Sequence, residues 1–193
     1  MKKIIFLLVL SMMCSVYSQE QNKGENAPKL GDTLPNITLG EKTLDEHLEK
    51  GKVLLTVYRG SWCPYCVKQL KNYQENLDKF KTENIQIIAI SPEKKKNALK
   101  MKEKNNLEFE VLSDKNHKML RELNLVFKLK DETVEKYKGY GIDLEESQGN
   151  TKNELPIPAT YLIDKKRKII YSFIDFDYKK RASVEDILAA VKK

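Results

Sequence analysis

An α/β fold, a central sheet with helices on both faces, is what this sequence predicts, and three observations predict it. Short β-rich runs alternate along the chain with stretches of helical periodicity, the order expected of right-handed βαβ units. One β-run, Val53-Leu54-Leu55-Thr56-Val57-Tyr58, leads through Arg59-Gly60-Ser61-Trp62 into the dithiol Cys63-Pro64-Tyr65-Cys66 and then a helical stripe. The last of the alternating elements is an amphipathic helix.

Each element has a local reason. Ile37-Thr38-Leu39 reads as a short strand after Gly31-Asp32 and Pro35. After the 53–58 strand, Val67, Leu70, Tyr73, Leu77 and Phe80 share one helix face, which predicts a helix over 64–82. A strand over 85–90, a helix over 93–105, a short strand over 109–112 and a helix over 115–123 follow. Residues 124–155 carry Gly139, Gly141, Gly149 and many charges, and are expected to form a surface insertion with a short helix over 131–137. Two strands, 159–163 and 169–174, flank Lys165-Lys166-Arg167-Lys168, which reads as a solvated hairpin turn. The final helix starts at Ser183, whose hydroxyl can cap it, with Asp186 three residues on. Its apolar face is Val184, Ile187, Leu188 and Val191. No internal repeat is present.

The N-terminus indicates the compartment. Lys2 and Lys3 precede an apolar run from Ile4 to Leu10, and Val16-Tyr17-Ser18 stands before Gln19. A charged start, a short apolar core and small residues near the junction make a secretory signal peptide over 1–18. The run is too short for a permanent membrane helix, and nothing after residue 20 reads as an integral span. A lipoprotein acylated at Cys14 is the competing reading, and bulky Met13 just before the cysteine argues against it. Residues 19–29 are polar and read as a flexible lead, leaving 30–193 as one domain. The product is then periplasmic or secreted.

Charge and composition exclude other classes. The chain of 193 residues has a net charge of +7 that falls to +5 without Lys2 and Lys3. The lysines are spread out, with no interleaved aromatics to stack on bases, so no nucleic acid is expected. Structural zinc needs about four ligands. Only Cys14 and two isolated histidines, His47 and His117, accompany the pair, so no metal or cofactor is expected, and the histidines read as surface residues of predicted helices. A purely structural Cys63–Cys66 disulfide would close too small a loop to stabilise much.

Redox chemistry is what remains for the dithiol. A helix start favours negative charge through its free N–H groups and aligned peptide dipoles. Such sites lower a thiol pKa from about 8.5 to roughly 3.5–7.5, and the thiolate is the nucleophile. Trp62 is expected as a packing lid beside the pair. Arg59 is either a thiolate stabiliser or a solvated charge at a strand end. A binding module with a permanently oxidised pair is the non-enzymatic alternative.

Three segments carry a family resemblance: Gly31-Asp32-Thr33-Leu34-Pro35, Tyr58-Arg59-Gly60-Ser61-Trp62-Cys63-Pro64-Tyr65-Cys66, and Leu155-Pro156-Ile157-Pro158-Ala159-Thr160-Tyr161-Leu162-Ile163-Asp164. The chain resembles the peroxiredoxin-like branch of the alkyl hydroperoxide reductase/thiol-specific antioxidant family. The resemblance implies a thioredoxin-like fold with a mixed central sheet, and a thiol-dependent antioxidant enzyme cycling Cys63 and Cys66. It also implies a cis peptide at Ile157-Pro158, with Pro158 facing the dithiol, and an external thioredoxin-like dithiol as reductant. Two chemistries stay open, with peroxide reduction as the first reading and reduction of protein disulfides as the alternative. As a peroxidase, Cys66 attacks the peroxide and Cys63 resolves; as a reductase of protein disulfides, Cys63 attacks and Cys66 resolves. Peroxiredoxins place Pro and Thr seven and three residues before the peroxidatic cysteine, and an Arg from a later strand completes their site. Counting from Cys66, Arg59 and Cys63 hold the Pro and Thr places; counting from Cys63, Thr56 and Gly60 do. Arg121 lies on a predicted helix rather than a strand.

Overall fold

The computed structural model describes residues 24–192, so the signal peptide and Cys14 lie outside the described residues. Residues 24–29, the end of the polar lead, make a turn in which the Ala27 amide donates to the Gly24 carbonyl, with Ala27 buried. In chain order come β1 (Thr38–Leu39), β2 (Lys42–Thr43), α1 (Leu44–Leu48), β3 (Lys52–Val57), α2 (Pro64–Glu75), α3 (Leu77–Thr82) and β4 (Ile85–Ser91). Then follow α4 (Lys95–Lys104), β5 (Glu110–Ser113), α5 (Lys118–Glu122), β6 (Val126–Lys128), α6 (Asp131–Gly139) and α7 (Leu144–Gln148). The chain continues through β7 (Glu154–Pro156), β8 (Ala159–Ile163), β9 (Ile169–Ile174) and α8 (Val184–Ala190).

The central sheet has the order β5-β4-β3-β8-β9. β3 runs parallel to β4 and β4 to β5, while β8 is antiparallel to both β3 and β9, so the sheet is mixed as expected. Strand alternation divides the core in two. Val53, Leu55 and Val57 face one layer with Ile88, Ile90 and Tyr161. Leu54 and Tyr58 face the other with Ile87, Ala89, Leu162 and the α2 residues Cys66, Leu70 and Tyr73. That second layer carries the dithiol. Leu70 is fully buried there. Leu70→Ala is expected to destabilise the protein by about 2–5 kcal/mol, from lost transfer energy plus the cavity left behind, as read by urea unfolding.

Local chemistry sets the element ends. The Ser183 hydroxyl accepts from the Asp186 amide at 3.0 Å, the cap expected of the final helix. Thr43 and Glu46 form a reciprocal capping box on α1, the helix that carries His47. The 64–82 helix is interrupted at Asn76, whose side-chain amide donates to the Asn72 carbonyl at 2.9 Å and competes with the helical backbone. At the basic turn, the Asp164 carboxylate accepts from the amides of Lys166 and Lys168 at 2.8 and 2.9 Å.

Residues 124–155 form more than a surface loop. β6 and β7 pair antiparallel and close the segment, and Leu129, Val134, Leu144 and Leu155 bury themselves as a small third core. Trp62 and Tyr137 pack against that core, so the insertion is docked on the turn before the dithiol.

Two expectations are corrected. The Ile157–Pro158 peptide is trans, as is every described peptide bond. The Ile157 amide donates to Leu125 at 2.7 Å, and the Pro158 carbonyl accepts from Asp175 at 3.4 Å. The chain around Pro158 is thus held from both sides in the isomer that X-Pro bonds favour by about 0.5–1 kcal/mol. His47 and His117 are buried rather than surface residues. The His47 ring lies 3.3 Å from the Leu39 carbonyl, and burial holds His117 below the ordinary histidine pKa.

Candidate active site

β3 ends at Val57, and the turn that follows delivers Cys63 to the N-cap of α2 with Pro64 as the first helical residue. The Cys63 carbonyl accepts from the amides of Cys66 and Val67, both at 3.1 Å, so the helix grows directly out of the dithiol. Gly60 is required by close approach: a Cβ there would sit 2.4 Å from the indole nitrogen of Trp62. Both cysteines are free thiols and both are buried.

The two sulfurs are chemically unequal. The Cys66 thiol donates to the Cys63 sulfur at 2.7 Å. That hydrogen bond, helped by the Cys66 backbone amide and the charges of Arg59 and Arg181, pulls the Cys63 pKa down to about 6 against the opposing effect of burial. Burial pushes the Cys66 thiol well above its ordinary value, and its role as donor to a negative neighbour pushes the same way. Both shifts favour a thiolate at Cys63 with the proton held by Cys66.

Arg59 is settled by its surroundings. It is 3% exposed, and its guanidinium lies 5.1, 5.5 and 4.1 Å from the ring centres of Trp62, Tyr137 and Tyr178. It donates to the Tyr137 hydroxyl. A cation so enclosed by aromatic faces is a fixed charge at the site, not a solvated one. Trp62 is half-buried, with its ring edge-on to Tyr137 at 5.8 Å, in keeping with a packing role. Pro158 is buried between β7 and β8, and the next residue, Ala159, pairs with Val57 at the end of the strand that leads to the dithiol.

Sequence reasoning missed two residues. A guanidinium nitrogen of Arg181 lies 3.2 Å from the Cys66 sulfur, across 115 positions of sequence. Within Lys179-Lys180-Arg181 it reads as one more surface cation, and only its place just ahead of the Ser183 cap hints that it is held. Arg121 has a separate role, paired at the surface with Glu154. The second missed residue is Glu93, 1% exposed at the end of the loop after β4. Its carboxylate accepts from the Ser61 amide at 2.7 Å, the Ser61 hydroxyl at 2.8 Å and the Ser147 hydroxyl at 3.1 Å. Glu93 thereby joins the active-site turn to the insertion, and its burial raises the carboxyl pKa. Glu93→Ala would strand those buried donors, and an unfolding free-energy loss of about 1–3 kcal/mol is expected in chemical denaturation.

Among the described residues no three His, Cys, Asp or Glu side chains gather closely enough to hold a metal ion. No described helix is long and apolar enough to cross a membrane. The arrangement suits two-electron thiol chemistry: a stabilised thiolate, a protonated partner in contact, and two guanidinium groups beside them.

Comparison with known proteins agrees. A putative peroxiredoxin, bcp, of Buchnera aphidicola is 37% identical over 92 residues, which are 48% of this chain and 56% of that relative, about half of each. The thiol-disulfide oxidoreductase ResA of Bacillus cereus is 26% identical over 174 residues, covering 87% of this chain and 83% of the relative. The fold is that of the peroxidoxin BcpB crystal structure from Mycobacterium tuberculosis, with a TM-score of 0.67 at 19% identity over 85% of this chain and 96% of that one. The mixed sheet is therefore the thioredoxin-like architecture. The description of the AhpC/TSA family matches residues 24–172, and the chain belongs to that family as an oxidoreductase of the peroxiredoxin or thiol–disulfide type.

Proposed function

We propose that this protein is an extracytoplasmic dithiol oxidoreductase in which the Cys63 thiolate attacks first and Cys66 resolves, with disulfides as the favoured oxidant. The observation that supports the reading is the 2.7 Å contact between the Cys66 and Cys63 sulfurs at the start of α2, where a hydrogen bond from Cys66 favours negative charge on Cys63. The Cys63 thiolate attacks a substrate disulfide, RS–SR′, forming Cys63–S–SR and releasing R′S⁻. Once Cys63 is neutral in the mixed disulfide, two of the three influences that hold the Cys66 pKa up disappear, while Arg181 still favours the thiolate. Cys66 then loses its proton, attacks the Cys63 sulfur and expels RS⁻, which takes up that proton. Two electrons pass from the dithiol to the substrate. An external thioredoxin-like dithiol returns the pair to its reduced state.

A second reading is supported by one contact. The Arg181 guanidinium at 3.2 Å from the Cys66 sulfur would stabilise a Cys66 thiolate attacking a peroxide. That step cleaves the O–O bond, gives a Cys66 sulfenic acid and hydroxide, and ends in a Cys63–Cys66 disulfide with loss of water. Stopped-flow reaction of the reduced protein with hydrogen peroxide and with a model disulfide separates the two. Faster reduction of the disulfide is expected, and a peroxide rate exceeding it would establish the peroxidase instead.

The compartment is proposed from Lys2, Lys3 and the apolar run. Cleavage after Ser18 predicts a mature chain starting at Gln19, and intact-mass analysis of envelope fractions checks it. A diacylated species starting at Cys14 would establish the lipoprotein.

A further inference from the structure

The first turn of α2 is a ridge between two clefts of different charge. One, of about 580 Å³, is lined by Trp62 and Pro64, with Lys100 and Lys104 set against the acids Glu93, Asp143 and Glu146. Its two cations face three acids, so it has no excess of positive charge. The other, of about 770 Å³, begins at Tyr65, the residue before Cys66, and is lined by Lys68, Lys71, Lys179 and Arg181 with Glu75 as its one acid. None of those four cations takes part in an ion pair among the described residues. Arg181 belongs to both cleft and dithiol: one guanidinium nitrogen is on the Cys66 sulfur, and its Nε is buried with no protein partner. Tyr65, 40% exposed and edge-on to Tyr178 at 5.8 Å, supplies an aromatic wall.

From this juxtaposition we infer that the cleft is the substrate-binding site for small disulfides that carry carboxylates. Its volume is in the range of small-molecule sites, roughly 300–1,000 Å³, and is too small for a folded partner to enter. Four unpaired cations against one acid make it attract anions and repel cations. An anion drawn toward Arg181 brings the attached sulfur to the end of the cleft nearest the dithiol, where Arg181 touches the Cys66 sulfur. The inference rests on the disulfide-reducing reading above and names its substrate class. The chemistry is unchanged: the Cys63 thiolate displaces one carboxylate-bearing thiolate from the disulfide, and Cys66 displaces the other.

The test uses the reduced full-length mature protein in single turnover with three small alkyl disulfides: dianionic 3,3′-dithiodipropionate, neutral 2-hydroxyethyl disulfide and dicationic cystamine. At an ionic strength of about 0.01 M, where screening extends over roughly 30 Å, the wild type should reduce the dianion at least about tenfold faster than the dication. In the triple variant Lys68→Glu, Lys71→Glu, Lys179→Glu, the dianion-to-neutral rate ratio should fall by about tenfold, and the dication-to-neutral ratio should rise. Both effects should collapse near 1 M salt, where screening shortens to about 3 Å. The ratio is the readout because a misfolded helix or a shifted thiol pKa would move both rates together. A ratio indifferent to the reversals, with the neutral disulfide still reduced, would overturn the cleft assignment alone. Reduction of a protein disulfide but of none of the three small ones would overturn it in favour of a macromolecular substrate. No reaction with any disulfide would overturn the function proposed above and this inference with it.

Discussion

Cys63→Ser is expected to slow reduction of a model disulfide by roughly a hundredfold or more at pH 7, because the thiol that remains is the one that resists ionisation. Burial holds Cys66 well above the ordinary cysteine pKa, and that effect remains when the Cys63 sulfur is gone, so the thiolate is the minor form at neutral pH. Cys66→Ser should behave differently. It keeps an ionised Cys63 and loses only the resolving thiol, so it should accumulate a stable mixed disulfide through Cys63, seen as a mass increase that reductant reverses. The pair of variants also separates the two chemistries. In the peroxidase reading, Cys63→Ser still forms a sulfenic acid at Cys66, which a dimedone-type probe would label rapidly on addition of peroxide. Disulfide trapping at Cys63 without that labelling establishes the exchange mechanism.

The second large effect is on pH dependence. With the Cys63 pKa near 6, the thiolate fraction rises by roughly two orders of magnitude between pH 4 and 7, and the rate of disulfide reduction should rise with it before levelling off. Thiolate absorbance at 240 nm should titrate with the same midpoint. Replacing Arg59 or Arg181 with Ala removes a positive charge that favours the thiolate, so either variant should move that midpoint upward. Arg59→Lys should not restore it fully, because a compact ammonium cannot span the three ring faces that the planar guanidinium meets. Replacing Cys66 with Ala should give the largest upward move, since the hydrogen bond from Cys66 is the strongest influence on Cys63. Stability follows the same linkage. A thiol whose folded pKa is depressed stabilises the reduced fold above its unfolded value, near 8.5, and that contribution is lost as pH falls through about 6. Above 8.5, Cys66 acts in the opposite sense, because the unfolded chain ionises where the folded one resists.

Much of the molecule was legible from local pattern. The strands over 53–58, 85–90, 159–163 and 169–174 and the Ser183-capped helix appear within a residue or two of where side-chain period and capping chemistry put them. The dithiol at a helix start was equally readable, since a helix terminus and a three-residue spacing are local facts. The break at Asn76 was not, because it depends on a side-chain hydrogen bond that competes with an otherwise unbroken apolar stripe.

What only the tertiary structure decided lies at long sequence separation. Arg181 reaches Cys66 because the chain after β9 folds back across the start of α2, and Glu93 grips Ser61 because β3 and β4 end side by side. Arg59 became a buried cation through Tyr137 and Tyr178, one from the insertion and one from the loop after β9. The trans peptide at Pro158 is flanked by hydrogen bonds to Leu125 and Asp175, neither adjacent in sequence. Periodicity, caps and spacing act within a few residues, so the sequence by itself determined the elements and the reactive pair. Which charges surround that pair, and where the walls of its clefts stand, depends on elements packed from distant parts of the chain, and that packing is a property of the whole fold.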